Sequence, residues 1–487
     1  MHRRSTRIRF AISFLCLSLF ISACQLIRPE PTATVTQTAT ATRVPLTSTP
    51  TITPTATETP LPHYLSVDPE SVRGIAVSVW HGQRDQVKKE LEFLTAKFND
   101  ENAYGIQVVL EGALSDFQLN DEIIGNGPSG ELPNMVIADS HWLRYWQSEK
   151  IPLMNLQEYQ DHPVYGFNAQ GISPVKDVML AQEKFNRALI GLPLWHNPEL
   201  LFYNRTWAQA LGFSNPPVTM NDFSEQICAA FNALNQDEDI ENNGTGGWIL
   251  SATTGTLMSW MINLAESLPD LDNFPQDSAE ESFLAVSSLL RELFDQGCVW
   301  QSRVPEPYDY FARRYALLYS GTFSGIQLQR RAFANNEMTA DDEWDVLAYP
   351  RRLENGKLRD PQIFSTAVSA GIFTASAEEQ FASWLFLSWL MQDENLTELA
   401  LAADGWPVQD SPVVDNLYQE KANSKIYGSL NLRKYIYPVQ LSVDWHISGL
   451  VLSDGFEHVF NASTPYDKIS DIWVQITDTL SEVIDRE

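Results

Sequence analysis

A chain of 487 residues is longer than one hydrophobic core normally serves, so two domains are expected. At 44% hydrophobic and 11% aromatic, most of it carries enough apolar material to fold. Its 62 acidic against 33 basic residues give a formal charge of −29, which argues against nucleic acid or an anionic lipid surface as partner and leaves neutral and cationic solutes open.

At the N-terminus, Arg3, Arg4, Arg7 and Arg9 precede an apolar run from Phe10 to Ile21. This is the layout of a secretory signal peptide, and the run is too short for a comfortable bilayer span. It ends in Ile21-Ser22-Ala23-Cys24, which resembles the bacterial lipobox. That resemblance implies that 1–23 is a signal peptide, that Cys24 is lipidated, and that the protein is anchored to the extracytoplasmic face of the cell membrane. From Pro29 to Pro62 the chain is mostly Thr, Pro and Ala, so 24–62 is expected to be a disordered, extended tether. Beyond it two cysteines remain, Cys228 and Cys298, and both a disulfide and a pair of buried thiols stay open.

The globular part starts near Val67. Gly74–Trp80 reads as a strand, and Asp85–Phe98 places Val87, Leu91, Leu94 and Phe98 at helical spacing. Gly105–Leu110 and Asn134–Asp139 read as further strands. Strand, helix, strand at these lengths is the pattern of a parallel sheet covered by helices. Ligands gather at the carboxyl ends of such strands, which here carry Trp80, His81, Asp139, Ser140 and His141.

The segment Leu189–Gly212 (LIGLPLWHNPELLFYNRTWAQALG) holds two apolar runs on either side of Trp195, His196, Asn197 and Pro198. A chain leaving one core, crossing a cleft and entering another needs such a pattern. These residues are therefore expected to form a hinge strand that also lines a ligand site. Thr219 reads as the N-cap of a helix carrying Phe223, Ile227 and Phe231. Ala285–Asp295 is another amphipathic helix, and Ser365–Ala375 is expected to be a second crossing. Ser376 and Glu379 form a capping box for a helix whose stripe of Phe381, Trp384 and Trp389 suits a core. From Tyr435 onward the chain is predominantly helical.

The run GLPLWHNPELLFYNRTWAQALGFSNPPVTMNDF resembles the signature of the family 1 extracellular solute-binding proteins, the sugar-type binding proteins of ABC importers. Pro193, Tyr203, Asn204, Gly212, Pro217, Thr219 and Phe223 stand at the family's spacing, and Met220 replaces the usual Trp. Arg314–Phe323, Trp344–Pro350 and Asp404–Val408 resemble later stretches of the same family. The resemblance implies an α/β, two-lobe periplasmic-binding-protein-like fold of type II. Each lobe would be a mainly parallel sheet flanked by helices, with hinge strands joining them. It places 63–195 and 370–420 in the N-lobe, and 196–369 and 421–487 in the C-lobe. It further implies a small solute, most naturally a sugar or oligosaccharide, ABC permease subunits as partners, no cofactor and no enzymatic activity.

A sugar ring has apolar faces and polar edges, so its cleft needs flat aromatic walls and planar hydrogen-bonding groups. Trp80, Trp195, Phe323, Trp406 and Trp445 are the expected walls, and His81, Asp139, His196, Asn197 and Ser251 the expected polar contacts. No metal-ligand spacing, phosphate loop, nucleophile elbow or glycosidase carboxylate pair is evident. Asp239, Glu241, Asn243 and Gly244 open like a calcium loop, but Leu250 stands where the bidentate carboxylate belongs, which favours an acidic loop. A ligand-sensing receptor, a secreted carbohydrate-active enzyme and a peptide or polyamine binder remain alternatives.

Overall fold

The computed structural model describes residues 65–265, 277–302, 304 and 307–484. The expected signal peptide, Cys24 and the tether through residue 62 lie outside the described residues. Nine strands make one sheet: β1 (Ala76–His81), β2 (Gln107–Gly112), β3 (Met135–Asp139), β4 (Leu192–Asn204), β5 (Trp248–Leu250), β6 (Val299–Gln301), β7 (Leu318–Thr322), β8 (Trp344–Leu347) and β9 (Ser365–Ile372). Their order is β2-β1-β3-β9-β4-β7-β5-β6, with β8 added to β4.

The two ends of this sheet are parallel. β1 lies between β2 and β3, with Val79 opposite both Leu110 and Met135. At the other end β5 lies between β6 and β7. Helices supply the crossovers that parallel neighbours require. Asp85–Glu101 joins β1 to β2 and buries Leu91, Leu94 and Phe98, while Asp116–Asn126 joins β2 to β3 and buries Leu119 and Ile123.

The centre is antiparallel. β4 runs for 13 residues, roughly 40 Å at strand rise, without a break. Its first half, Leu192 to Pro198, pairs with β9; from Glu199 onward it pairs with β7 and β8. The two apolar runs around 195–198 are thus a single strand that changes partners at Pro198. β9 in turn pairs with β3, so β4 and β9 stitch both ends into one sheet.

The cores follow the sheet rather than the lobes. One core gathers Val77, Val79, Leu91, Phe98, Trp195 and Trp384 with Phe202, Phe311, Tyr319, Phe323 and Trp344 from beyond the crossing. A second holds Phe223, Trp248, Trp260, Phe283, Phe456 and Trp473. A third, smaller one packs Leu119, Trp142, Trp146 and Phe373. Near the end of the chain, Ile436 belongs to the first core and Val439 to the second.

Local signals set the boundaries. Thr219 and Asp222 form a reciprocal cap at the start of helix Met220–Asn235, and Ser376 and Glu379 do the same for Ala377–Leu390. Cys228 on the first of these helices is disulfide-bonded to Cys298, just before β6, with Cα atoms 4.7 Å apart. The residues from Asp237 to Asn242 form an acidic loop closed on itself, where Asn242 Nδ2 donates to Asp237 Oδ2, and Leu250 is buried in β5.

Candidate functional site

Alternation along β4 places Trp195, Asn197 and Glu199 on one face and His196 on the other. The turn Asp404–Val408 covers the start of that face. Trp406 exchanges backbone hydrogen bonds with His196 (3.0 and 2.8 Å), and Gly405 sits so close to Trp195 that a Cβ there would lie 2.6 Å from its ring. Trp195 is therefore sealed beneath the turn. Two residues further, the cover ends and the strand faces a groove of about 370 Å³.

The groove is walled by Asn197, Glu199 and Thr366 from the crossing strands and by Ser320, Gly321 and Thr322 from β7. Thr253, Thr254 and Gly255, at the N-terminus of helix Thr254–Leu264, form a second side, and Tyr308, Tyr319, Phe364 and Trp445 supply aromatic surface. Its size falls at the small end of the range for ligand pockets, roughly 300–1,000 Å³, and its mixture of flat rings and hydroxyls suits a small polar solute. A larger groove of about 880 Å³ lies beside Trp207, Asp237 and Arg314, but no residue of the crossing strands lines it.

Of the residues expected from sequence, the groove brings together Asn197 and Trp445, with Ser251 beside them. Asn197 is held by Ser324, whose backbone N–H donates to Asn197 Oδ1 at 3.1 Å. Trp445 is 7% exposed; most of it is core, and its remaining surface meets the groove.

The other expected aromatics are elsewhere. Trp195, Phe323 and Trp406 are buried in the first core, and Trp406 Nε1 donates to Ser429 Oγ at 2.9 Å. They offer a ligand no surface, because the 404–408 turn uses Trp406 and Phe323 (ring centroids 5.8 Å apart) as packing for the hinge. His196 is also buried, with Nδ1 3.2 Å from Ser365 Oγ and Nε2 3.3 Å from the Met179 carbonyl. Burial lowers its pKa to about 4, so it is neutral.

Trp80, His81 and Asp139 stand at the carboxyl ends of β1 and β3, outside the lining of the groove. Trp80 packs partly against the third core. His81 is buried against Gly112 and accepts from the Gln83 N–H at 3.1 Å. The Asp139 N–H donates to Asp116 Oδ2 at 3.1 Å, and burial together with the Asp116 charge raises the Asp139 pKa. Close by, the rings of Trp142 and Tyr145 meet His446, the residue next to Trp445.

Sequence reasoning missed Glu199, Tyr308, Tyr319, Thr254 and Thr366. Glu199 left a readable signal, as the only charged residue within Leu192–Asn204. It is buried, and both the Thr256 hydroxyl (3.0 Å) and the Tyr349 hydroxyl (3.3 Å) donate to its Oε1. Burial pushes its pKa up to about 7. Below the crossing, Gln182 Oε1 accepts from Ser140 Oγ and the Ala367 N–H, while Ser369 Oγ donates to Glu183 Oε1 at 2.7 Å. This buried polar lacing fixes the register of β9. Among the described residues, no group of three or more His, Cys, Asp or Glu side chains converges where it could hold a metal ion. No described helix is long and apolar enough to cross a membrane.

Comparison with known proteins follows the same lines. A family described as bacterial extracellular solute-binding protein matches residues 94–425. Among curated proteins, no sequence matches the chain. Among solved structures, the sugar-binding protein MalE of Xanthomonas citri is similar with a TM-score of 0.65 at 14% identity, over 85% of this chain and 100% of that one. The cyclic α-maltosyl-1,6-maltose binding protein of Arthrobacter globiformis gives 0.62 at 14% identity, over 83% and 98%. UgpB of Mycobacterium tuberculosis, in complex with glycerophosphocholine, gives 0.62 at 14% identity, over 84% and 98%. At such identities the likeness is one of fold: the two-lobe architecture of periplasmic binding proteins.

Proposed function

Because this chain belongs to the bacterial extracellular solute-binding proteins, we propose that it captures a small solute, a sugar or short oligosaccharide, in the groove beside β4 and hands it to the permease of an ABC importer. The observation that carries the reading is the position of that groove. It opens where β4 passes from β9 to β7, so residues of the crossing strands themselves, Asn197, Glu199 and Thr366, touch whatever is held. The similar structures from Xanthomonas and Arthrobacter are named for binding sugars, which supports a sugar here.

The mechanism needs only differential affinity. A solute that contacts both lobes binds the closed form more tightly and shifts the population toward it. Closure excludes water and strengthens each hydrogen bond to the solute. The closed form then docks on the permease, and the lipid at Cys24 with the tether behind it keeps the domain near the membrane. The solute is released unchanged, so the protein acts without catalysis.

The test is a thermal-shift screen of the mature chain over mono-, di- and trisaccharides, since a ligand that binds only the folded state raises the melting temperature. A rise with a subset of sugars, saturable and without new reducing ends over hours, supports capture. Steady release of reducing ends from an oligosaccharide would replace it with an enzymatic reading.

A further inference from the structure

The groove has a charge feature that a neutral sugar does not explain. Glu199 is 4% exposed, yet among the described residues no Lys, Arg or His pairs with it; its partners are the hydroxyls of Thr256 and Tyr349, both on Oε1. Oε2 lies toward Gly255, another wall residue, where an added Cβ would come within 3.1 Å of it. The lining holds this one carboxyl group and no cationic side chain. The Tyr319 hydroxyl, in the same wall, is buried without a hydrogen-bond partner among the described residues.

A buried carboxylate without a counter-charge is costly, and proteins normally pair it, hydrogen-bond it fully or leave it protonated. The start of helix Thr254–Leu264 beside it favours the ionised form but supplies only partial charge. The missing element is a full positive charge carrying N–H donors. Tyr308, Phe364 and Trp445 around the same space offer aromatic surface, which attracts such a charge further.

We propose that the solute carries a protonated amine, and that Glu199 is the specificity-determining residue that receives it through Oε2, with the Tyr319 hydroxyl accepting a second N–H. This rests on the solute-capture reading and narrows it from sugars at large to aminated solutes. The shared chemistry is a primary ammonium on a small polar molecule, supplied by an amino sugar or by a linear polyamine.

The experiment is isothermal titration of the mature chain at neutral pH with four probes: the glucosamine disaccharide, its di-N-acetylated form, cellobiose and spermidine. The glucosamine disaccharide is expected to bind at least tenfold more tightly than its two neutral counterparts; comparable or tighter binding of spermidine assigns the polyamine source instead. Glu199→Gln keeps the hydroxyl contacts and is expected to remove that preference, so that the glucosamine disaccharide and cellobiose bind within twofold of each other. Gly255→Ala, which crowds Oε2 and blocks access to it while the carboxyl group stays in place, is expected to remove the preference as well should the first variant fold poorly. Equal affinity for charged and neutral probes, or a preference that survives both substitutions, overturns the inference. Binding of neutral sugars alone overturns it while leaving solute capture intact, and binding of none of the four overturns both.

Discussion

The rings of Trp142 and His446 lie 4.9 Å apart, centroid to centroid. Trp142 belongs to the helix that follows β3, and His446 to the helix Trp445–Val459, whose apolar residues fill the second core. Tyr145 adds a second contact, 4.3 Å from the His446 ring. One histidine thus links the helix after β3 to the helix whose apolar residues fill the second core, next to the tryptophan that lines the groove.

Loss of such a contact favours separation of the two helices it joins. His446→Ala removes both ring contacts, each worth about 0.5–1.5 kcal/mol. Free protein should then open, with a larger radius of gyration in solution scattering, and solute affinity should fall by up to roughly tenfold. An unchanged radius and unchanged affinity would mean that the contact does not set the opening.

The disulfide between Cys228 and Cys298 spans 70 residues of sequence. Replacing both cysteines by Ser is expected to cost about 2–5 kcal/mol, read as a lowered denaturant midpoint. Solute affinity should be little changed, because neither cysteine lines the groove.

Buried ionisable groups predict a pH optimum of stability. Burial raises Glu183 to about 8 and Glu199 to about 7, from 4.5. Their contribution is fully present below about pH 4.5 and is lost as pH rises through 7 and 8. Burial lowers His196 to about 4 and His141 to about 3, from 6.5. Their contribution is present above pH 6.5 and is lost as pH falls through 4 and 3. Burial also raises Asp139 to about 7 and Asp404 to about 6, from 3.8, adding to the loss at rising pH. Thermal melts of the solute-free protein should therefore be highest at about pH 4–5 and decline on both sides. Glu183→Gln should flatten the alkaline side, where this group accounts for no more than roughly 3–5 kcal/mol.

Gly405 carries a packing constraint rather than a conformational one. A methyl group there would sit 2.6 Å from Trp195 Cδ1, in the seal over the start of β4. Gly405→Ala is expected to destabilise the fold by about 1–3 kcal/mol in chemical denaturation. A neutral effect would show that Trp195 moves freely under the turn.

Much of the fold was legible because its signals are periodic and local. Gly74–Trp80, Gly105–Leu110 and Asn134–Asp139 agree with the observed strands to within about two residues at each end, and Thr219 and Ser376 cap the helices expected of them. The family spacing around Tyr203 and Asn204 located the crossing strand. The site was less legible because burial of a tryptophan depends on what lies across from it. Trp195 and Asn197 share one face of β4, and only the Asp404–Val408 turn, two hundred residues later, decides that the first is covered and the second is open. Glu199 is the opposite case. A lone acid in an apolar strand can be read from sequence, but its partners Thr256 and Tyr349 come from distant segments that only the fold brings together.

The claim on which the account stands is that the crossing strand itself holds the solute. Hydrogen exchange of the mature chain, with and without a saturating ligand from the titration, measures this directly. Slowed exchange at residues 197–199, 253–256 and 319–322 is the expected result. Protection confined to the larger groove around Trp207 and Arg314, with those three segments unchanged, would contradict it.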